Sequence, residues 1–320
     1  MRTCTYWTSI SAVILTLTLV ASPSSGKDDK LHPGFFNSPR LGVSIPVPTY
    51  RIQPTDDSCR VFSYSLKTPQ ATDVSYSITT FPRQPIGGPQ IESSLNQDGF
   101  RVLSLTQGEG KSFSYFLVEA EGMRNGQWTR GQSMYVPGLV VNLLITCTSP
   151  RDRYEQYAQG FQAFMKSIKL GEPPLAPPPE TTRYRDDRIQ LQADLPHLEP
   201  SKAKQQWLEL SFEAAATDHS VTVIKIEDSD LSVAQFVDAK AAELKKLEYS
   251  PAAMTGKGDD QGLSAKHPQQ GIGVLVRCQR HAKYLIQSTG IWFEDGTEDQ
   301  TKPAVSHTIE NTRLLPRIPR

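Results

Sequence analysis

The sequence predicts an α+β fold: two tandem α/β/α sandwich domains, each with a central antiparallel sheet flanked by helices. Three observations carry that prediction. Apolar residues alternate with a period of two through much of the chain, the mark of half-buried strands. The same order of strand-like and helix-like segments recurs in both halves at a nearly constant spacing, as a duplication requires. A run with five prolines in ten residues, Gly171-Glu-Pro-Pro-Leu-Ala-Pro-Pro-Pro-Glu180, separates the halves; such a run favours extended polyproline II and works as a semi-rigid spacer.

The first 26 residues read as a targeting segment. Arg2 gives a positive start, Ile10 to Val20 forms an apolar core, and small residues follow at Ala21, Ser22, Ser24, Ser25 and Gly26. That pattern is a secretory signal peptide, too short to span a bilayer, which needs about 20 apolar residues. The expected location is therefore periplasmic or extracellular. About 290 residues remain, a prior for two domains. Lys+Arg and Asp+Glu both number 34, so the net charge is zero. Neither a nucleic acid nor an anionic membrane is an expected partner of such a surface.

Within the first half, Val43, Ile45 and Val47 alternate as an opening strand, and a shift of 146 lands on Ile189, Leu191 and Ala193. The second strand, Arg60 to Lys67, overlays Trp207, Leu208, Leu210 and Phe212 at the same shift. Third strands follow at Asp73–Thr80 and Asp218–Ile226. The period then changes. Val233, Phe236, Val237, Ala241 and Leu244 form one helical stripe, started by the capping box Ser232…Gln235. The first half offers a shorter, proline-led helix from Pro89. Strands return at Phe113–Ala120, Gln132–Val136 and Leu139–Cys147, with a hairpin turn at Asn125-Gly126. In the second half they return at Gly273–Gln279 and Lys283–Thr289. Each half closes on a helix: one after Ser149-Pro150 with Tyr154, Tyr157, Phe161, Phe164, Met165 and Ile168 on one face, the other through Val305, Thr308, Ile309 and Thr312. The predicted organisation is a signal peptide over 1–26, a flexible N-terminal segment over 27–39, a first repeat over 40–170, a Pro-rich linker over 171–183 and a second repeat over 184–316.

Cys59 and Cys147 lack cysteine counterparts in the second half, where Gln205 and Ser288 stand. Two cysteines present together in one copy and absent together from the other fit a disulfide, which would stabilise by roughly 4 kcal/mol. Cys278, in mid-strand, reads as a small core residue.

The order of strands, helix, meander and terminal helix resembles the PsbP/Mog1-like fold. The residues that carry the likeness are Leu41 to Val47 and Asn142 to Lys169 in the first half, with Arg188 to Pro196 and Tyr284 to Leu315 in the second. The resemblance implies an α/β/α sandwich and an accessory role in binding larger assemblies. It implies no functional residue.

The motifs for chemistry are weak. Gly108-Glu-Gly-Lys-Ser112 resembles a phosphate loop but has Leu105 where the first glycine belongs, so it reads as a turn. Gly131-Gln-Ser-Met-Tyr135 lacks the second glycine of a nucleophile elbow. The histidines are scattered, and Cys278 with His281 supplies two ligands where zinc needs three or four. No cofactor or metal is expected. Trp128 and Trp292 lie near turns, which makes them the candidates for a contact surface. The reading that follows is an exported, non-enzymatic accessory or binding protein whose partner is another envelope or extracellular protein. Its alternatives are a hydrolase with an inter-domain active site and a carrier of a small apolar ligand.

Overall fold

Strands form almost wherever apolar residues alternate. The computed structural model describes residues 34–49, 58–110, 113–137, 141–171, 181–213, 220–250, 253–294 and 298–315. In the first half these residues build β1 (Gly34–Ser38), β2 (Val43–Pro46), β3 (Cys59–Lys67), β4 (Thr72–Phe81), α1 (Gly88–Gln97), β5 (Phe100–Glu109), β6 (Ser114–Arg124), β7 (Gln127–Val136), β8 (Asn142–Pro150), α2 (Tyr154–Ser167) and β9 (Lys169–Leu170). The second half runs through β10 (Thr182–Asp186), β11 (Leu191–Leu195), β12 (Trp207–Glu213), β13 (Ser220–Asp228), α3 (Val233–Lys246), β14 (Ala253–Lys257), β15 (Asp260–His267), β16 (Ile272–His281), β17 (Tyr284–Phe293), α4 (Glu298–Glu310) and β18 (Arg313–Leu314). The order of strands and helices is the same in both.

Local signals act as their chemistry demands. Ser232 accepts the Gln235 amide at 3.1 Å, and the Gln235 side chain accepts the Ser232 amide at 2.9 Å, so α3 starts on a complete capping box. Asn125 and Gly126 both take positive φ, 50° and 79°, which a two-residue hairpin turn of the I′ kind needs. At α2 the expected cap fails. Ser149 and Pro150 finish β8, a short 3-10 turn over Arg151–Arg153 intervenes, and no side chain caps the helix.

The predicted pair of helix-flanked sandwiches does not form. The molecule is predominantly antiparallel β, arranged in a 12-stranded and a 6-stranded sheet, with four α-helices among the described residues. The large sheet runs β14-β15-β16-β17-β13-β12-β3-β4-β8-β7-β6-β5, so the halves join edge to edge through β12 and β3. At that seam Tyr64 pairs with Leu210, which lies 146 residues further on and is its own counterpart in the overlay. The small sheet, β18-β2-β1-β10-β11-β9, is joined in the same way through β1 and β10. It is also closed by exchange: β9 pairs with β11 of the second half, and β18 with β2 of the first. Backbone edges carry the same donors and acceptors everywhere. A strand pattern therefore shows which side chains are buried and leaves open which edge becomes the neighbour.

Two boundaries and one overlay shift move. The segment 27–39, expected to be flexible, contains β1, and β10 begins at Thr182, inside the expected linker. The first hairpins overlay at 148 rather than 146, because Phe36 faces Ile45 as Tyr184 faces Ala193. Ile189 consequently lies in the turn before β11. The proposed signal peptide falls outside the described residues, as does most of the proline-rich run.

The core lies where the two sheets meet face to face. Phe62 stacks on Tyr184 with ring centres 3.9 Å apart and planes 12° apart, and it touches Phe212 and Phe36. Tyr64 and Tyr76 continue this layer to Phe161 and Phe164 of α2. Burial pushes the phenols of Tyr64 and Tyr76 far above their ordinary range. Beside this core, Asp186 and Arg188 form a buried ion pair that also receives the Tyr184 hydroxyl at 2.9 Å.

Candidate functional site

The expected disulfide is absent. Cys59 lies opposite Thr80 and Cys147 opposite Tyr76, on the two sides of β4 and four residues apart along it. Strand geometry puts the two about 16 Å apart, against the limit of about 7 Å for a disulfide. Both stand as buried thiols. Burial raises the Cys147 thiol well above its usual value. Cys278 sits in the core of the second half as expected, and burial pushes its thiol up to about 12.

The two candidate tryptophans separate. Trp292 is only 6% exposed, packed on Val305 and Ile309 and close against Gly273. Proximity to a turn did not expose it, because α4 covers that end of β17. Trp128 is 49% exposed, beside the hairpin tip where it faces the equally open Met123. It is held from below. Glu121, nearly buried, takes Arg101 on one side and Arg151 at 3.2 Å on the other. The Arg151 guanidinium lies 5.5 Å from the Trp128 ring.

Further along the same face of β6 and β7, an apolar cleft of about 560 Å³ opens beneath α2. Its walls are Phe113, Tyr115, Leu117, Met134, Met165 and Ile168, and Gln162, Lys166 and Lys169 stand among the lining residues on and after α2. Gln132 forms part of one wall and donates to the Tyr154 hydroxyl at 3.0 Å. Between the cleft and Trp128, Arg130 lies 4.1 Å over the Tyr154 ring and is paired with Glu119. That pairing raises the basicity of the guanidinium. The cleft was not legible in the sequence. Each apolar lining residue reads there as ordinary core, and only the packing of α2 leaves a space.

In the second half a polar network bridges sheet and helix at the equivalent positions. Following paired residues outward from Tyr64 and Leu210, the counterparts of Leu117, Gln132 and Met134 are Asp260, Arg277 and Gln279. Arg277 holds both carboxylate oxygens of Asp260, at 2.9 and 2.6 Å, and Gln279 donates to the same carboxylate at 3.2 Å. The remaining terminal nitrogen of Arg277 donates to the carbonyls of Ile309 and Glu310 at the end of α4. Arg277 thereby keeps the Asp260 carboxyl below its ordinary range.

The other candidates have structural partners. In the acidic stretch Glu227-Asp228-Ser229-Asp230, Asp228 pairs with Lys283 and Asp230 with Lys202, while Glu227 pairs with Lys225. Among the described residues no group of three or more His, Cys, Asp or Glu is placed to hold a metal. Among the described residues, the lining of the cleft contains no carboxylate, histidine, serine or cysteine. No described helix is long and apolar enough to cross a membrane.

No family model matches the chain, and no curated protein matches its sequence. Solved structures with a similar course of chain include the apo immunity protein TplEi of the T6SS from Pseudomonas aeruginosa. It is 11% identical over 91% of this chain and 99% of its own, with a TM-score of 0.42. The same protein complexed with "L" peptide matches at 10% identity over 90% of this chain and 100% of its own, again at 0.42. The Tle4–Tli4 complex matches at 10% identity over 89% of this chain and 99% of its own, also at 0.42. Likeness at this level lends no function to the chain.

Proposed function

We propose that this chain is an exported, non-enzymatic binding protein that captures another envelope or extracellular protein through the exposed end of the β6–β7 hairpin. The observation that carries the reading is Trp128: a large ring, half exposed beside Met123 and fixed by the Glu121–Arg151 pair beneath it. A rigid, amphipathic ring buries much area on contact at little entropic cost, which is why tryptophan dominates many interfaces. Export rests on the apolar run from Ile10 to Val20. The PsbP/Mog1-like pattern of the sequence belongs to the same proposal, since the roles in that group are accessory.

The test is capture from an envelope fraction with the full chain and with Trp128→Ala. A partner recovered by the first and lost from the second supports the reading. Repeated recovery of the protein alone, or equal recovery by both, removes it.

A further inference from the structure

The geometry points to the cleft beneath α2 as a binding site for a free long-chain fatty acid, its hydrocarbon along the apolar walls and its carboxylate at Lys166. This site is separate from the Trp128 surface and does not depend on it.

The two halves differ at this place in the fold. One framework, used twice, carries the Asp260–Arg277–Gln279 network at these positions in the second half and an apolar cleft in the first. Leu117 and Met134, the counterparts of Asp260 and Gln279, present hydrocarbon to the opening instead. Gln132 stands where Arg277 would reach the helix end, and its amide is turned to the Tyr154 hydroxyl. The cleft's volume of about 560 Å³ is within the roughly 300–1,000 Å³ of small-molecule sites. Apolar walls on both the sheet and the helix suit an unbranched chain, whose burial is favourable in proportion to area.

The charge at the opening selects the head group. Lys166 is exposed on α2 and has no carboxylate at salt-bridge distance among the described residues. Lys169 and the amide of Gln162 also line the cleft, and no acidic side chain does among the described residues. A carboxylate head meets a cation and an amide donor there. A quaternary ammonium head meets repulsion, and a hydroxyl head gains no charge pairing.

Titration calorimetry of the full chain with dodecanoate, below its micelle concentration, tests the site. Saturable one-to-one binding is expected, with dodecyltrimethylammonium at least tenfold weaker. Lys166→Glu, on an exposed position, is expected to weaken dodecanoate by about fivefold and to leave dodecanol unchanged. Met134→Trp, or the triple Leu117→Asp, Gln132→Arg, Met134→Gln that transplants the network of the second half, closes the cleft and abolishes binding of both. The inference is overturned by absence of saturable dodecanoate binding or by equal affinity for the three amphiphiles. It is equally overturned if dodecanoate affinity is unchanged in Lys166→Glu and in whichever cleft-closing variant folds. Capture of an acidic amphipathic peptide in the cleft by a chain that ignores dodecanoate also overturns it.

Discussion

Replacing Phe62 by alanine asks whether the halves unfold as one body. Phe62 is 1% exposed, stacks on Tyr184 of the second half at 3.9 Å, and lies 5.5 Å from Phe212. Removing such a ring costs about 3–5 kcal/mol, and the lost aromatic pairs place it near the upper end, about 4–5 kcal/mol. For a single unit of this size the midpoint is then expected to fall by about 7–8 °C. The informative readout is where that loss is felt. The tryptophans are Trp7, Trp128, Trp207 and Trp292, so a Trp7→Phe, Trp128→Phe background confines emission to the second half. If the two sheets are continuous through β3–β12 and β1–β10, Phe62→Ala lowers the midpoint reported by Trp207 and Trp292 as much as the midpoint from far-ultraviolet circular dichroism. An unshifted tryptophan transition beside a lowered first-half transition would refute the shared core.

Two further outcomes follow from the polar network and the thiols. Because Arg277 lowers the Asp260 pKa in the folded chain, Asp260 contributes its full stabilisation above the unfolded value of about 3.9. The contribution is lost as the pH falls through the lowered folded value, so Asp260→Asn should flatten that part of the acid limb in a urea series. The size is under about 1 kcal/mol, since the pair is half exposed; Arg277→Ala should cost more, having also lost the carbonyls at the end of α4. With its thiol at about 12, Cys278 holds roughly one thiolate in ten thousand at pH 8. Alkylation of the native chain should therefore be very slow, with three thiols becoming reactive beyond residue 26 on denaturation, and added reductant should leave the melting temperature unchanged. A shift with reductant would restore the Cys59–Cys147 bond that the strand register excludes.

Several parts of this molecule could be read directly from residues. The alternation around Tyr64 and Leu210, the capping box at Ser232 and the Asn125-Gly126 turn are short-range effects, decided within a few residues. Other strands escaped notice for a physical reason. β5 and β14 lie at the outer ends of the large sheet, where most side chains are exposed, and so lack an apolar alternation. Trp128 is exposed beside its turn, whereas the same argument failed for Trp292, which Val305 and Ile309 of the following helix cover.

The sequence by itself determined the repeated order of elements, the buried face of most strands and the parity of the overlay, because these depend on side-chain period and local hydrogen bonding. Tertiary structure alone decided that β3 meets β12, that β9 and β18 cross to the opposite half, and that Cys59 and Cys147 lie too far apart to bond. It also decided that Leu117 and Met134 border an open cleft while their counterparts join a polar network. Strand edges are chemically alike, and a cavity belongs to no single residue; both are settled only when distant segments pack.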